Sequence, residues 1–134
     1  MISQTEQLSV LQETDLVSIR NKVRLHAQQA ELGLVDETKL ITAASELTRN
    51  MLIYAGGGGV AIEQLDRADV KGVRIAFEDK GPGIADIGLA MTDGYSSMHS
   101  LGLGLPGARR LVDEFEISSK PGEGTRVVIT KWKR

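Results

Sequence analysis

The chain has 134 residues, a length typical of one domain. With 41% hydrophobic and 25% charged residues it has the composition of a globular protein, and its formal net charge of −2 does not favour non-specific binding to nucleic acid or membranes. The absence of cysteine excludes disulfides and thiolate catalysis, and no apolar run approaches the ~20 residues that span a bilayer. We therefore expect a single cytoplasmic domain over residues 1–134, with neither nucleic acid nor membrane among its partners.

The beginning of the chain predicts a strand and a helix. Apolar and polar residues alternate over 7–12, which favours a β-strand. Thr14 or Asp15 is placed to cap the helix that follows, and Gly33 is placed to end it. The predicted buried face of this helix consists of apolar side chains at helical spacing: Leu16, Ile19, Val23, Ala27 and Ala30.

A second helix is predicted from Asp36, as its cap, to the four consecutive glycines at 56–59. We interpret these glycines as a helix stop and a flexible turn. The predicted buried stripe of this helix consists of Leu40, Ala44, Leu47 and Met51.

The second half of the chain predicts mainly strands. Alternation is clear over 73–78 and weaker at 60–62, and short helices are expected over 84–91 and from Pro106. Because helices come early and strands late, we expect an α+β fold with a mixed, mainly antiparallel sheet and helices packed on one face. The last expected strands contain residues 115–117 and 127–129, joined by a turn at 121–124.

Glu46 and Asn50 lie four residues apart on the second predicted helix, so their side chains share one face. Mg²⁺ often takes only one or two oxygen ligands from protein and the rest from phosphates and water. Asn50 can supply such an oxygen, and Glu46 can orient or deprotonate a hydroxyl near a terminal phosphate. The same spacing also fits a hydrogen-bonded pair on a solvated helix face, and the helix alone does not decide between the two.

Asp79 ends the clearest predicted strand, and a rigid turn follows in which Gly81 and Gly83 bracket Pro82. A carboxylate at this position can accept a hydrogen bond from an exocyclic amine such as that of adenine. Guanine carries a carbonyl at the same place, so a site of this kind would reject it. Taken alone, the segment also fits an ordinary turn after a strand.

A glycine-rich stretch over 102–107 matches the pattern G-x-G-x-x-G. It follows a polar segment rather than a strand, and too little chain remains after it for a doubly wound sheet, so the dinucleotide-binding interpretation fails. Glycine backbone before a helix can still contact phosphates. Arg109 or Arg110 could reach a terminal phosphate, or both could be solvated surface residues.

Thr125 follows Gly124 at the start of the last predicted strand. Its hydroxyl could support Asp79 and a base through water, or belong to an ordinary hairpin turn. The P-loop pattern and the His-Arg-Asp and Asp-Phe-Gly motifs of eukaryotic-type kinases are absent from the sequence. His26 and His99 are too few and too far apart to predict a zinc site.

Taken together and in this order, the segments resemble the Bergerat (GHKL) ATP-binding fold of gyrase, heat-shock protein 90, histidine kinases and mismatch-repair ATPases. Within that superfamily the chain is similar to the RsbT-type switch kinases of the bacterial stressosome. The similarity extends over the whole chain. It is carried by Ser45-Glu46-Leu47-x-Arg49-Asn50, Glu78-Asp79-x-Gly81-Pro82-Gly83-Ile84, Gly104-Leu105-Pro106-Gly107, Arg110-Leu111-x-Asp113-Glu114-Phe115 and Lys131-Trp132.

The resemblance implies a serine/threonine protein kinase that uses ATP and Mg²⁺. It implies that Glu46 is the general base, Asn50 the Mg²⁺ ligand and Asp79 the acceptor for adenine, with residues 88–104 as the ATP lid. The motifs and the resemblance together give the expected nucleotide contacts as Asn50, Asp79, Gly81, Gly83, Gly102, Leu103, Gly104, Arg109 and Thr125.

The resemblance also implies partners. The family phosphorylates serine or threonine of STAS-domain scaffold and antagonist proteins, then activates a PP2C-type phosphatase by binding it. An alternative of another class uses the same fold: an ATP-gated anti-sigma factor that acts mainly by sequestration. The sequence separates these two poorly. One departure from the family pattern is the turn at 56–59, which carries no basic residue.

Overall fold

The computed structural model describes residues 2–83 and 104–134. The short helix expected over 84–91 lies outside these residues, and so does the lid expected over 88–104 except for Gly104. Within the described residues, no helix is both long enough and apolar enough to cross a bilayer. The elements in chain order are β1 (Ile2–Val10), α1 (Thr14–Gln29), α2 (Leu34–Ala55), β2 (Gly58–Arg67), β3 (Val70–Asp79), α3 (Gly104–Arg110), β4 (Glu114–Lys120) and β5 (Gly124–Trp132).

The five strands of the described residues form one sheet in the order β1-β2-β3-β5-β4. Every neighbouring pair in it is antiparallel. The apolar residues of β2, β3 and β5 that alternate toward one face join those of α1 and α2 in one core, so the helices cover a single face of the sheet. This architecture is the α+β class expected from the sequence.

The core contains the side chains that the two helical stripes predict, except Leu16, which is only half-buried. Ile19 and Val23 of α1 and Leu40 of α2 are fully buried, and they meet Ile62 and Ile75 of the central strands. Each buried side chain of this size contributes roughly 1.5–3 kcal/mol to stability. Ala108 of α3 completes the core, and partly buried Leu105, Leu111 and Val112 pack against it.

The ends of α1 differ from the expectation. The N-cap residue is Glu13, and its side chain makes no capping hydrogen bond. Asp15 lies in the first turn, and its Oδ2 accepts from the backbone N–H groups of Leu11 at 2.8 Å and Gln12 at 3.1 Å. The helix ends at Gln29, before the predicted stop, because Glu31 takes a left-handed conformation with φ 62°.

Gly33 begins the next helix rather than ending the previous one. It is the N-cap of α2, and its carbonyl accepts from the N–H of Glu37 at 2.8 Å. Asp36, predicted as the cap, lies in the first helical turn. Its carboxylate is 3.3 Å from the ammonium of Lys131, so a tertiary ion pair takes the place of the local capping bond.

Lys131 is a buried cation, with a side chain only 4% exposed. Its ammonium lies between Asp36 of α2 at 3.3 Å and Asp113 of the α3–β4 turn at 3.5 Å. Asp113 also accepts from the backbone N–H of Trp132 at 2.7 Å. Ion pairs therefore connect the end of β5 to α2 and to the α3–β4 turn.

The four glycines after α2 do more than stop a helix. Gly56 is left-handed with φ 74° and ends α2, but Gly58 and Gly59 already belong to β2. A Cβ at Gly58 would lie within 3 Å of the carbonyl oxygen of Glu78. The interpretation as a flexible turn is therefore wrong for Gly58, which is a place of close backbone approach.

Candidate functional site

The site lies where β3, β4 and β5 meet at one end of the sheet. Asp79 is directly opposite Thr125, and Thr125 is directly opposite Ser119. Asp79 and Thr125 stand two residues from Phe77 and Val127, which are buried under the helices, so both side chains project to the helix-covered face. Three polar side chains thus form a row across three strands.

Asp79 is held by the turn that follows it. Its Oδ1 accepts from the N–H of Gly81 at 2.9 Å, which orients the carboxylate. A Cβ at Gly81 would lie 2.5 Å from Cβ of Ala55, so the turn packs directly on the last turn of α2. Gly83 has φ 76° and lies against Lys120 of β4. Gly81 therefore stands beside Asp79 and Gly83 beside the end of β4, both in backbone positions that a side chain would disturb.

Glu46 and Asn50 lie one turn apart in the second half of α2. Asn50 is half-buried, at the edge of the buried stripe. Glu46 is nearly buried, with a side chain 11% exposed, and its Oε1 accepts from Nη1 of Arg49 at 2.6 Å. Arg49 was not among the predicted site residues, although its i,i+3 spacing from Glu46 could have revealed it.

Met51 connects this part of α2 to Asp79. The space that a Cβ of Gly58 would fill lies 2.8 Å from Met51 Sδ and 3.1 Å from Asp79 Cβ. Met51 follows Asn50 directly in the chain. The absence of a side chain at Gly58 therefore lets the helix that carries Glu46 and Asn50 pack beside the strand end that carries Asp79.

The β4–β5 hairpin supplies a pair of hydroxyls. Ser119 Oγ lies 2.8 Å from Thr125 Oγ1 and 2.9 Å from the carbonyl oxygen of Gly124. Gly124 has φ 93°, and a Cβ there would lie within 3 Å of the carbonyl oxygen of Asp79. Ser119 was missed by the sequence analysis; counting back from the turn at 121–123 would have placed it opposite Thr125.

The phosphate end of the predicted site is described only in part. Gly102 and Leu103 lie outside the described residues. Gly104 is the first residue of α3, with φ 38°, and α3 packs against α2. Arg109 and Arg110 lie in the last turn of this seven-residue helix, which ends at Arg110.

The donor set fits Mg²⁺ held mainly by phosphates. Among the described residues, no group of three or more His, Cys, Asp and Glu side chains could hold a metal ion by itself. A single amide oxygen such as that of Asn50 suits a cation that keeps most of its oxygens from phosphate and water. The carboxylate of Asp79 suits the base end of a nucleotide, and the half-buried amide of Asn50 suits the phosphate end.

Comparison with known proteins identifies the architecture. The model of the family described as histidine kinase-, DNA gyrase B- and HSP90-like ATPase matches residues 35–134. The serine/threonine-protein kinase RsbT of Bacillus subtilis (strain 168) is 46% identical over 125 residues, which cover 93% of this chain and 94% of that protein. The anti-sigma F factor of Thermoanaerobacter sp. (strain X514) is 30% identical over 118 residues, covering 84% of this chain and 82% of that protein.

A solved structure agrees with the fold. A chain in the crystal structure of the SiaB–SiaC complex from Pseudomonas aeruginosa matches with a TM-score of 0.53 and 14% sequence identity. The match covers 98% of this chain and 90% of that chain. At this identity the likeness bears on the fold alone.

Proposed function

We propose a partner-switching function for this chain, which belongs to the histidine kinase-, DNA gyrase B- and HSP90-like ATPases and, within them, to the RsbT-type serine/threonine protein kinases. The proposed reaction transfers the γ-phosphoryl group of ATP to a serine or threonine of a separate protein. The observation that carries it is the packing of α2, the helix that bears Glu46 and Asn50, beside Asp79 through Met51 and Gly58. In this proposal the general base and the metal ligand lie on the helix that packs beside the acceptor for adenine.

The roles of these residues follow from their chemistry. Asp79, oriented by Gly81, accepts a hydrogen bond from the exocyclic amine of adenine. Asn50 holds Mg²⁺, and Mg²⁺ bound with ATP neutralises charge on the phosphates. Thr125 supports the base end. The sequence alone supports phosphate contacts for Gly102, Leu103, Gly104 and Arg109.

Glu46 is the proposed base for the acceptor hydroxyl. The hydroxyl oxygen forms a bond to the γ-phosphorus while the bond from that phosphorus to the β,γ-bridging oxygen breaks. The hydroxyl proton passes to Glu46, and ADP leaves with the bond's electron pair. Burial of Glu46 and its hydrogen bond to Arg49 keep the carboxylate in one place, which suits a reaction that depends mainly on positioning.

The proposed substrates are STAS-domain scaffold and antagonist proteins, and the proposed second partner is a PP2C-type phosphatase that the kinase activates by binding. The similarity to RsbT supports this assignment to a stressosome pathway of the cytoplasm. In such a system phosphorylation of the first partner releases the kinase for the second. The role in stress signalling therefore follows from partner exchange as well as from catalysis.

The test is incubation with Mg²⁺-ATP and candidate STAS proteins, read by intact mass. We expect a gain of one phosphate on a STAS protein, lost in Glu46→Ala and in Asp79→Asn. Binding of the partner by each variant is measured in parallel, so that a folding defect is separated from a catalytic one. Robust phosphoryl transfer by either variant would contradict the kinase assignment.

A second candidate function is sequestration of a sigma factor, favoured by the 30% identity to an anti-sigma F factor. A pull-down with and without ATP discriminates the two. Stoichiometric, ATP-dependent retention of a sigma factor without phosphate on any STAS partner supports sequestration. Phosphate on a STAS partner supports the switch kinase.

A further inference from the structure

A cavity of about 260 Å³ lies on the face of the sheet opposite the helices. The short side chains of Ala76, Val128 and Thr130 line it, together with longer charged side chains of β2 to β5. These three residues alternate along β3 and β5 with side chains that are buried under the helices, so they project to the other face. Asp79 and Thr125 project to the helix-covered face, and the cavity is therefore separate from the candidate nucleotide site.

Two arginines line the cavity, and each already has a carboxylate partner. Arg74 Nε lies 2.7 Å from Oε1 of Glu63, which also lines the cavity. Arg126 Nε lies 3.5 Å from Oε2 of Glu78, and both of these side chains are more than half exposed. The positive charge of the two arginines is therefore largely balanced by carboxylates of the same sheet face.

Glu114 and Glu116 bring two further carboxylates to the cavity from β4, and neither forms an ion pair with a described residue. Glu114 Oε2 accepts a hydrogen bond from the indole N–H of Trp132 at 2.5 Å, which leaves the charge of the carboxylate in place. Because the two glutamates are two positions apart on one strand, they project to the same face about 7 Å apart. The cavity thus has excess negative charge and is complementary to a cation.

Thr130 adds an uncharged acceptor beside these carboxylates. It lies directly opposite Glu114 in the sheet, and it lines the cavity although the residue is only 3% exposed. Its hydroxyl makes no hydrogen bond with any described residue, whereas every fully buried side-chain polar atom in that part of the chain has a partner. A nearly buried hydroxyl without a partner at the wall of a cavity suits a ligand that donates a hydrogen bond to it.

We propose that this cavity receives the side chain of a lysine from a partner protein. A lysine ammonium has three N–H donors and no acceptor, which matches one acceptor each from Glu114, Glu116 and Thr130. The planar guanidinium of arginine instead suits a single carboxylate that it can bind bidentately. The aliphatic stem of lysine packs on Ala76 and Val128. The volume is below the roughly 300–1,000 Å³ of small-molecule pockets, so it suits one side chain better than a cofactor.

The first test titrates the full chain with a tripeptide that has lysine between two glycines and is blocked at both ends. NMR follows the methyl signals of Ala76, Val128 and Thr130, and we expect saturable shifts at low ionic strength. The norleucine peptide keeps the aliphatic stem without the charge and should leave these signals unchanged. The arginine peptide should bind at least about threefold more weakly. Absence of shifts with the lysine peptide, or equal binding of the norleucine peptide, would overturn the proposal.

Substitutions in the cavity test which groups bind the ammonium. Glu114→Gln and Glu116→Gln remove charge at nearly constant volume, and each should weaken binding of the lysine peptide about two- to fivefold. Thr130→Val removes only the hydroxyl and should weaken binding by a similar factor. Glu123→Gln, in the exposed β4–β5 turn outside the cavity, is the matched control and should keep the wild-type affinity. Equal weakening in the control would assign the effect to overall charge and overturn the site.

Arg126→Gln tests the charge argument with the opposite sign. It removes a cation from the wall of the cavity, so the lysine peptide should bind about twofold more tightly. The thermal midpoint should change little, because the pair with Glu78 is exposed. A gain in affinity cannot come from damage to the fold, and a loss of affinity in this variant would contradict the proposal.

The source of the lysine is tested with whole proteins. Binding of a candidate STAS protein and of a PP2C-type phosphatase is measured for the wild-type chain and for the double variant Glu114→Gln, Glu116→Gln. We expect one of the two complexes to weaken at least about fivefold. Unchanged affinity for both would overturn the assignment to a partner protein, and so would a dimer of this chain that the double variant dissociates, because a second copy would then supply the lysine.

These outcomes are independent of the kinase assignment. The peptide experiments do not rest on the proposed function, because the cavity and the candidate nucleotide site lie on opposite faces of the sheet. Only the choice of whole proteins rests on it. Failure of the wild-type chain to bind either protein would contradict the proposed partners, and the lysine site would then stand or fall with the peptide result.

Discussion

Arg49 Nη1 donates a hydrogen bond to Glu46 Oε1 at 2.6 Å, within the same helix. The carboxylate is nearly buried while the guanidinium is 39% exposed, so the arginine reaches from the rim of the site to the proposed base. Such an intrahelical pair adds only a few tenths of a kcal/mol to stability. Its main consequence is that Glu46 points in one direction before any substrate arrives.

Replacing Arg49 should therefore affect catalysis more than folding. For Arg49→Ala we expect kcat for phosphoryl transfer to fall about tenfold, because a base that is free to rotate is less often in position. The KM for ATP and the thermal midpoint should change little. Arg49→Lys should restore part of kcat, and full activity in Arg49→Ala would contradict the positioning role.

Gly58→Ala, a change in β2, should lower both the stability of the protein and its affinity for ATP. The added methyl group would meet the carbonyl oxygen of Glu78, Met51 Sδ and Asp79 Cβ. We expect a loss of about 1–3 kcal/mol in the free energy of unfolding, with weaker ATP binding, since α2 must move away from Asp79.

Gly59→Ala is the control for this change, because an added Cβ at Gly59 meets nothing within 4 Å. Urea denaturation and ATP binding should stay near wild type in that variant. Equal losses in the two variants would show that the glycines act through strand propensity and not through the close approach of Gly58 to Asp79.

Lys131→Ala should be strongly destabilising. It removes the buried cation from Asp36 and Asp113, whose carboxylates keep the largely exposed Arg134 as a partner. Removing one member of a buried ion pair costs about 3–5 kcal/mol. The comparison is Lys133→Ala, which removes a 42% exposed partner of Glu31 and should lower stability far less, as measured by urea denaturation. Similar losses in the two variants would argue against a role for burial.

Glu6 should make stability depend on acid. Hydrogen bonds from His26 and Lys22, in that order of effect, lower the pKa of Glu6 below 4.5 in the folded chain. A carboxyl group with a depressed folded pKa stabilises the protein above its unfolded pKa, and this contribution is lost as the pH falls through the folded pKa. Stability should therefore decline below about pH 4.5.

The acid-dependent part should shrink in Glu6→Gln, as measured by thermal midpoints between neutral and acidic pH. Glu123→Gln, in the exposed β4–β5 turn, is the control and should keep the wild-type slope. An unchanged slope in Glu6→Gln would assign the acid sensitivity to other groups.

Local patterns were enough to predict the helix faces and several site residues. Leu40, Ala44, Leu47 and Met51 are buried as their spacing predicted, because helical periodicity is a property of the segment itself. Asp79 ends its strand and Gly81 lies in the turn that follows, as predicted, because strand alternation and turn residues are also local patterns. The functional roles of Glu46, Asn50 and Thr125 stay predictions, although their positions suit those roles.

Helix ends were predicted less well, because a cap competes with tertiary contacts. Asp36 has the side chain of an N-cap residue, yet its carboxylate pairs with Lys131, which lies 95 positions later in the chain. Gly33 looked like a stop signal but serves as the cap of α2. A short stretch of sequence around a helix end does not contain the distant residue, here Lys131, with which a possible cap residue pairs instead.

The sequence by itself determined the α+β class, the buried stripes and the segments that supply the site, since these depend on residues close together in the chain. Only the tertiary structure decided which side chains meet. The register of β3 against β5 sets Thr125 against Asp79, and these strands are far apart in the chain. One residue of slippage there would turn every side chain to the opposite face. The bare backbone of Gly58 lets Met51 of α2 pack beside Asp79, which is likewise a contact between separate elements.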